Sequence, residues 1–108
     1  MNRTTDYEKL FDLKEDASLD ESLRGQLTLL YQAMTDWPGS SGRINDFLAD
    51  IKCFLNTELL TFNAIDKSLA GIDSGRFAWQ KEALCSLREL ASSGKGKTID
   101  EIVMQILR

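Results

Sequence analysis

The sequence predicts an all-α protein, an antiparallel four-helix bundle with a short additional terminal helix. Three observations carry that expectation. Apolar residues recur at intervals of three and four along nearly the whole chain, which is the period of one helix face. Alternating, strand-like runs are absent, and the 108 residues include a single valine, Val103. Three stretches carry the signature of a capping box, in which a Ser or Thr accepts from free helix amides and a Glu three residues on reaches back: Thr5 to Glu8, Ser18 to Glu21, and Thr98 to Glu101.

The first helix is expected from about Asp6 to Lys14. Its apolar residues Tyr7, Leu10, Phe11 and Leu13 fill only two turns. A helix that short is marginal alone and must dock on something. The second is expected from about Leu19 to Asp36, with Leu19, Leu23, Leu27, Leu30, Tyr31 and Met34 as its buried stripe. It stops at Trp37-Pro38-Gly39, because proline disfavours the helical region for the residue before it. The stretch WPGSSGR is the strongest turn signal in the chain.

The third segment starts near Ser41 or Gly42. Ile44, Phe47, Leu48, Ile51, Phe54, Leu55, Leu59, Phe62, Ile65 and Leu69 continue one stripe as far as Ala70. Taken as one helix it would run about 28 residues, or about 42 Å at the usual rise. Its neighbours are much shorter, so a bend or break is expected around Thr61 to Asn63. Gly71 is expected as a left-handed cap with Ile72 folding back on it, followed by a turn at Asp73-Ser74-Gly75. The fourth main helix should run from about Phe77 to Ser92, buried through Phe77, Ala83, Leu84, Leu87, Leu90 and Ala91. By composition, residues 92–98 form a flexible loop. The last helix, Ile99 to Leu107, carries Ile99, Ile102, Val103, Ile106 and Leu107 at helical spacing. The whole, residues 1–108, reads as one domain with no internal repeat.

Composition excludes several kinds of function. The chain has no histidine, which removes Ser-His and Cys-His nucleophiles and histidine-ligated metals. The formal net charge of −4 argues against an electrostatic nucleic-acid binder. No run of 18 apolar residues is present, and the N-terminal stretch lacks the apolar core of a signal peptide. The expected location is therefore cytoplasmic. Cys53 and Cys85 are isolated rather than paired in a C-x-x-C, so they read as small apolar residues in or near the core, with a disulfide left open by their spacing.

Candidate chemistry is sparse. Ser92-Ser93-Gly94-Lys95 suggests a Ser-Lys pair or a phosphate loop, but it lacks the glycine spacing and the preceding strand that a phosphate loop needs. Asp46 and Asp50 sit four apart on one helix face, as do Asp12 and Asp16. Bundle metal sites combine such carboxylates with histidines, so these read as solvated faces, and no metal or cofactor is expected. The reading is of a non-enzyme. Residues 1–54 hold 10 acids and 6 bases, whereas Arg76 to Arg108 holds 6 bases and 4 acids. Lys95, Lys97 and Arg108 accompany the apolar stripe of the last helix, which suits an amphipathic element docking on the bundle, on a partner or at a membrane surface. Trp37 and Trp79 either cover the end of the bundle or mark a contact for a protein partner.

The stretch Arg76 to Gly96, RFAWQKEALCSLRELASSGKG, resembles the second half of immunity proteins for pediocin-like (class IIa) bacteriocins, of the enterocin A immunity type. In that family a basic residue and Phe open a helix that continues with aliphatic residues and a Glu at set spacing and ends in a Gly-containing loop. Arg76, Phe77, Leu84, Leu87, Glu89, Leu90 and Gly94 occupy the matching places. The motif covers about 20 residues, and the layout extends over about Leu10 to Lys97. The resemblance implies a cytoplasmic four-helix bundle that gives lactic acid bacteria resistance to an antimicrobial peptide. Its partner would be the sugar transporter, the mannose phosphotransferase permease, with bacteriocin bound. Recognition would fall to the C-terminal part, here Arg76, Trp79, Arg88, Lys95, Lys97 and Arg108. Many members are basic and this chain is acidic, which favours protein recognition over attraction to anionic lipid, with peripheral membrane contact as a lesser expectation. The alternative is an acidic helical adaptor or inhibitor that binds a basic protein surface.

Overall fold

The computed structural model describes residues 5–39 and 42–107. Among them are six helices and no strand: α1 Asp6–Lys14, α2 Glu21–Asp36, α3 Ile44–Leu55, α4 Phe62–Gly71, α5 Ala78–Ser93 and α6 Ile99–Ile106. The all-α expectation holds, with one more helix than the sequence suggests. The third segment is two helices. The expected start at Ser41 lies outside the described residues.

The break comes earlier than the Thr61 to Asn63 region. Asn56 takes the left-handed conformation at φ 54° and ends α3. Its N–H donates to Cys53 and the N–H of Thr57 donates back to Lys52, the paired bonds of a Schellman stop. Asparagine accepts this conformation more readily than most residues because its short side chain bonds locally. Thr61 then restarts the chain as the N-cap of α4, its hydroxyl accepting from the Ala64 N–H at 3.1 Å. The interruption shifts the helical phase. Leu59, expected in the core, is 58% exposed, and Phe62 is exposed too, while Leu60 is fully buried. The Leu60 carbonyl accepts from Ile99 N–H at 2.8 Å and so anchors the start of α6.

Three further local expectations are corrected. Asp20 rather than Ser18 caps α2, its carboxylate accepting from the Ser22 N–H at 3.1 Å. Ser18 is instead turned onto Asp16, donating from both its N–H and its hydroxyl. Gly71 is the last residue of α4 and has no positive φ; Ile72 leaves it extended. The reversal is made two residues later, where the Asp73 carboxylate accepts from the N–H groups of Gly75 and Arg76. Cys53 is exposed and Cys85 half-buried, both as free thiols. Cys53 falls outside the Ile44, Phe47, Leu48 and Ile51 stripe that faces the core of α3.

The core is mainly aliphatic, with Phe47 and Trp37 as its buried aromatic residues. Leu27, Leu30 and Met34 of α2 meet Leu84, Leu87 and Leu90 of α5, and Ile99, Ile102 and Val103 of α6 close over them. No polar or charged side chain among the described residues is buried. α2 and α5 form the central pair, with α1 against α2 and α4 against α5. Polar links lie at the rim: Lys52 to Asp100 at 2.7 Å joins α3 to α6, and Arg88 to Asp66 at 3.0 Å joins α5 to α4. No helix among the described residues is long and apolar enough to cross a membrane.

Candidate functional site

The end of α2, the start of α5 and α1 converge at one end of the molecule. α2 stops at Trp37, whose backbone is extended (φ −79°, ψ 118°) ahead of Pro38. The Trp37 side chain turns inward and is 6% exposed. Its ring stands edge-on to Phe47 at 6.3 Å and to Phe54 at 5.4 Å, and Phe54 stands edge-on to Phe77 at 5.4 Å. Such edge-to-face pairs add about 0.5–1.5 kcal/mol each beyond their buried area. The Arg76 guanidinium lies 5.1 Å from the centre of the Phe77 ring. This ladder of rings fixes the α2 terminus, α3 and the α5 start against one another.

α1 is held to the same end. Tyr7 stacks on Tyr31 with ring centres 4.5 Å apart. The Thr35 hydroxyl donates to the Tyr31 carbonyl at 3.0 Å, which leaves it to accept from the Tyr7 hydroxyl at 2.7 Å. The Tyr7 N–H donates to the Gly42 carbonyl, and the Asp6 carboxylate accepts from the Ile44 N–H at 2.8 Å. Gly42 has φ 83°, a conformation that side-chain-bearing residues rarely adopt.

Between these parts lies a cleft of about 480 Å³, walled by Tyr7, Thr35, Asp36, Trp37, Pro38 and Trp79. Trp79 is the second residue of α5 and is 68% exposed. It also walls a second cleft of about 420 Å³, shared with Pro38, Arg76 and Gln80. Asp36 is half-buried on the first side. Burial, and then the negative charge of Glu82, hold its carboxyl above the usual aspartate range.

The structure separates the residues expected to recognise a partner. Arg76 and Trp79 share one end of α5. Arg88 sits along the helix in its ion pair with Asp66. Lys95 and Lys97 follow the far end, about 20 Å away along the axis. Lys95 is left-handed at φ 53°, and Lys97 donates to the Gln105 side chain at 2.8 Å. A third cleft, of about 460 Å³, opens there between Phe62, Ser92 and Lys97. Arg108 lies outside the described residues. The two tryptophans divide the two roles considered for them, Trp37 packed and Trp79 displayed.

Sequence reasoning does not reach Tyr7 and Asp36 as neighbours of Trp79, whereas Glu82 follows it at one helical turn on α5. The signal for Tyr7 is the Thr5 cap, whose hydroxyl accepts from the Glu8 N–H and fixes where α1 begins. Asp46 and Asp50 are exposed, as are Asp12 and Asp16. Among the described residues no three Cys, Asp or Glu side chains are grouped to hold a metal ion. Compared with protein-family models, with curated proteins and with solved structures, the chain matches none of them.

Proposed function

We propose that this protein is a non-enzymatic immunity protein of the pediocin-like bacteriocin type, which protects the cell by contact. In this reading its C-terminal part recognises the mannose phosphotransferase permease with bacteriocin bound, from the cytoplasmic side of the membrane, and blocks the pore. The observation that carries it is Trp79. The stretch that resembles the family displays a large aromatic side chain at 68% exposure, beside Arg76, at a cleft. Exposed tryptophan and arginine are the residue types over-represented at the energetic centres of protein contacts. The same reading takes α1, α2, α5 and the α3–α4 pair as the arms of an antiparallel four-helix bundle, with α6 as its short terminal helix. The short connection between α1 and α2 and the packing of α2 on α5 support that arrangement. A core in which no polar or charged side chain of the described residues is buried supports a role in binding over catalysis.

The test is expression in a bacteriocin-sensitive lactic acid bacterium challenged with a panel of pediocin-like peptides. Survival against at least one peptide, lost in Trp79→Ala, is the expected result. Unchanged killing by the whole panel overturns the reading.

A second reading, the acidic adaptor or inhibitor, is favoured by the α1–α2 corner, where Asp12, Glu15, Asp16, Asp20 and Glu21 are all exposed. Affinity capture from the native host separates the two. A transporter subunit supports the first and a soluble basic protein the second.

A further inference from the structure

The cleft beside Trp79 has one carboxylate in its lining and a second on the neighbouring turn of α5. Asp36 ends α2 and lines the cleft, and Glu82 lies one turn beyond Trp79 on α5, on the same helix face. The charge of Glu82 reaches the Asp36 carboxyl. Among the described residues neither carboxylate has a hydrogen-bond or ion-pair partner. Two basic groups at the start of α5 are engaged elsewhere: Lys81 donates to the Ser74 hydroxyl at 2.9 Å, and Arg76 lies over Phe77. The last turn of α2 carries no basic residue, so the partial negative charge of its C-terminus is not offset there. An exposed indole face, the Asp36 carboxylate and a helix C-terminus thus meet at one cleft, with the Glu82 carboxylate one turn away on α5. Each of these attracts a cation, and the indole also accepts the apolar stem of a long side chain.

We infer that this cleft seats a basic side chain of a partner polypeptide, an arginine guanidinium or a lysine ammonium, against the Trp79 indole and the Asp36 carboxylate, with the Glu82 charge adding to the attraction from one turn along α5. This rests on the reading of the α5 start as a recognition face and names the chemistry it recognises. Pro38 and Tyr7 also line the cleft and offer apolar surface to the aliphatic stem.

The experiment is a nuclear magnetic resonance titration of the full chain with Nα-acetyl-arginine amide. Its neutral isostere, Nα-acetyl-citrulline amide, is the control, and the indole N–H signals of both tryptophans are followed. The arginine compound should shift the Trp79 signal saturably and leave Trp37 in place, with the citrulline compound at least about fivefold weaker. Asp36→Asn and Glu82→Gln should each weaken binding about two- to fivefold, in proportion to one partly exposed charge contact. Trp79→Leu, followed through the backbone amide signals of Asp36 and Gln80, should abolish binding, with unchanged circular dichroism showing that the fold is kept. Equal binding of citrulline, shifts confined to the acidic α1–α2 corner, or wild-type affinity in the doubly neutralised variant each overturn the inference. The protection assay is read separately. Arginine binding without protection sinks the immunity reading alone, and protection without arginine binding sinks this inference alone.

Discussion

Gly94 lies directly beneath Ile102, so that a Cβ placed on the glycine would stand 2.7 Å from Cγ1 of the isoleucine and closer still to its Cδ1. Glycine here is a matter of space, since its φ of −85° suits any residue. The chain leaves α5 through Gly94 and returns at once into α6, and the two helices touch where the side chain is missing.

Gly94→Ala should therefore destabilise the protein by about 1–3 kcal/mol, the usual cost of forcing atoms into a filled core. Gly25 supplies the opposite control. It is exposed within α2 with nothing inside 4 Å of its added Cβ. Gly25→Ala should stabilise by about 0.5–1 kcal/mol through helix propensity and a less free unfolded chain. Urea denaturation of both variants checks the two signs.

Leu60→Ala should cost about 2–5 kcal/mol, whereas Leu59→Ala should change stability by less than about 0.5 kcal/mol. The contrast follows from a buried and an exposed leucine next to each other. Hydrogen exchange adds a second readout. The Ile99 amide, bonded to the Leu60 carbonyl, should lose protection in Leu60→Ala and keep it in Leu59→Ala.

The two tryptophans should separate by fluorescence. Acrylamide quenching of the wild type should show one accessible and one protected component. Trp79→Phe should remove the accessible one at little cost in stability. Trp37→Ala should cost about 3–5 kcal/mol, because its ring packs on both Phe47 and Phe54.

Asp36 and Glu101 should give opposite pH dependences. Burial and Glu82 raise the Asp36 pKa, so the folded state resists its ionisation; stability is lost as pH climbs from the ordinary aspartate value to the raised one. Asp36→Asn should thus gain on the wild type across that interval. Glu101 is lowered by hydrogen bonds from the Thr98 backbone and hydroxyl. Its contribution is present above the ordinary glutamate value and fades as pH falls through the lowered one. Glu101→Gln should lag the wild type at neutral pH and converge with it in acid. Thermal unfolding at a series of pH values checks both slopes.

The helical class and most of the buried positions are legible in the sequence, because the stripe is dense and the caps are strong. Thr98 and Glu101 form the reciprocal box that their spacing announces, and Thr5 caps α1 as expected. The α3–α4 break is not legible by period. Leu55, Leu59 and Phe62 keep helical spacing straight through it, and only Asn56 and Thr61 mark the stop and restart. At Ser18 two equivalent capping residues compete, and the nearby Asp16 takes the serine. The display of Trp79 follows from its place off the α5 stripe. Of its acidic setting, Glu82 follows from the i+3 spacing on α5, but Asp36 does not, since only tertiary packing brings the end of α2 beside it.

Among the described residues no polar side chain is buried, and this shapes how the fold constrains its own sequence. Aliphatic residues of similar volume substitute for one another at modest cost when pattern and volume are kept. Leu27, Leu30, Leu84, Leu87 and Leu90 could therefore be exchanged for other aliphatics while the backbone stays in place. The positions that resist exchange are few and lie at junctions: Asn56 at a left-handed stop, Gly94 under Ile102, Asp73 holding two amides, and Thr98 at its box. A chain with this architecture can thus drift far in its interior and remain recognisable through a handful of punctuation residues.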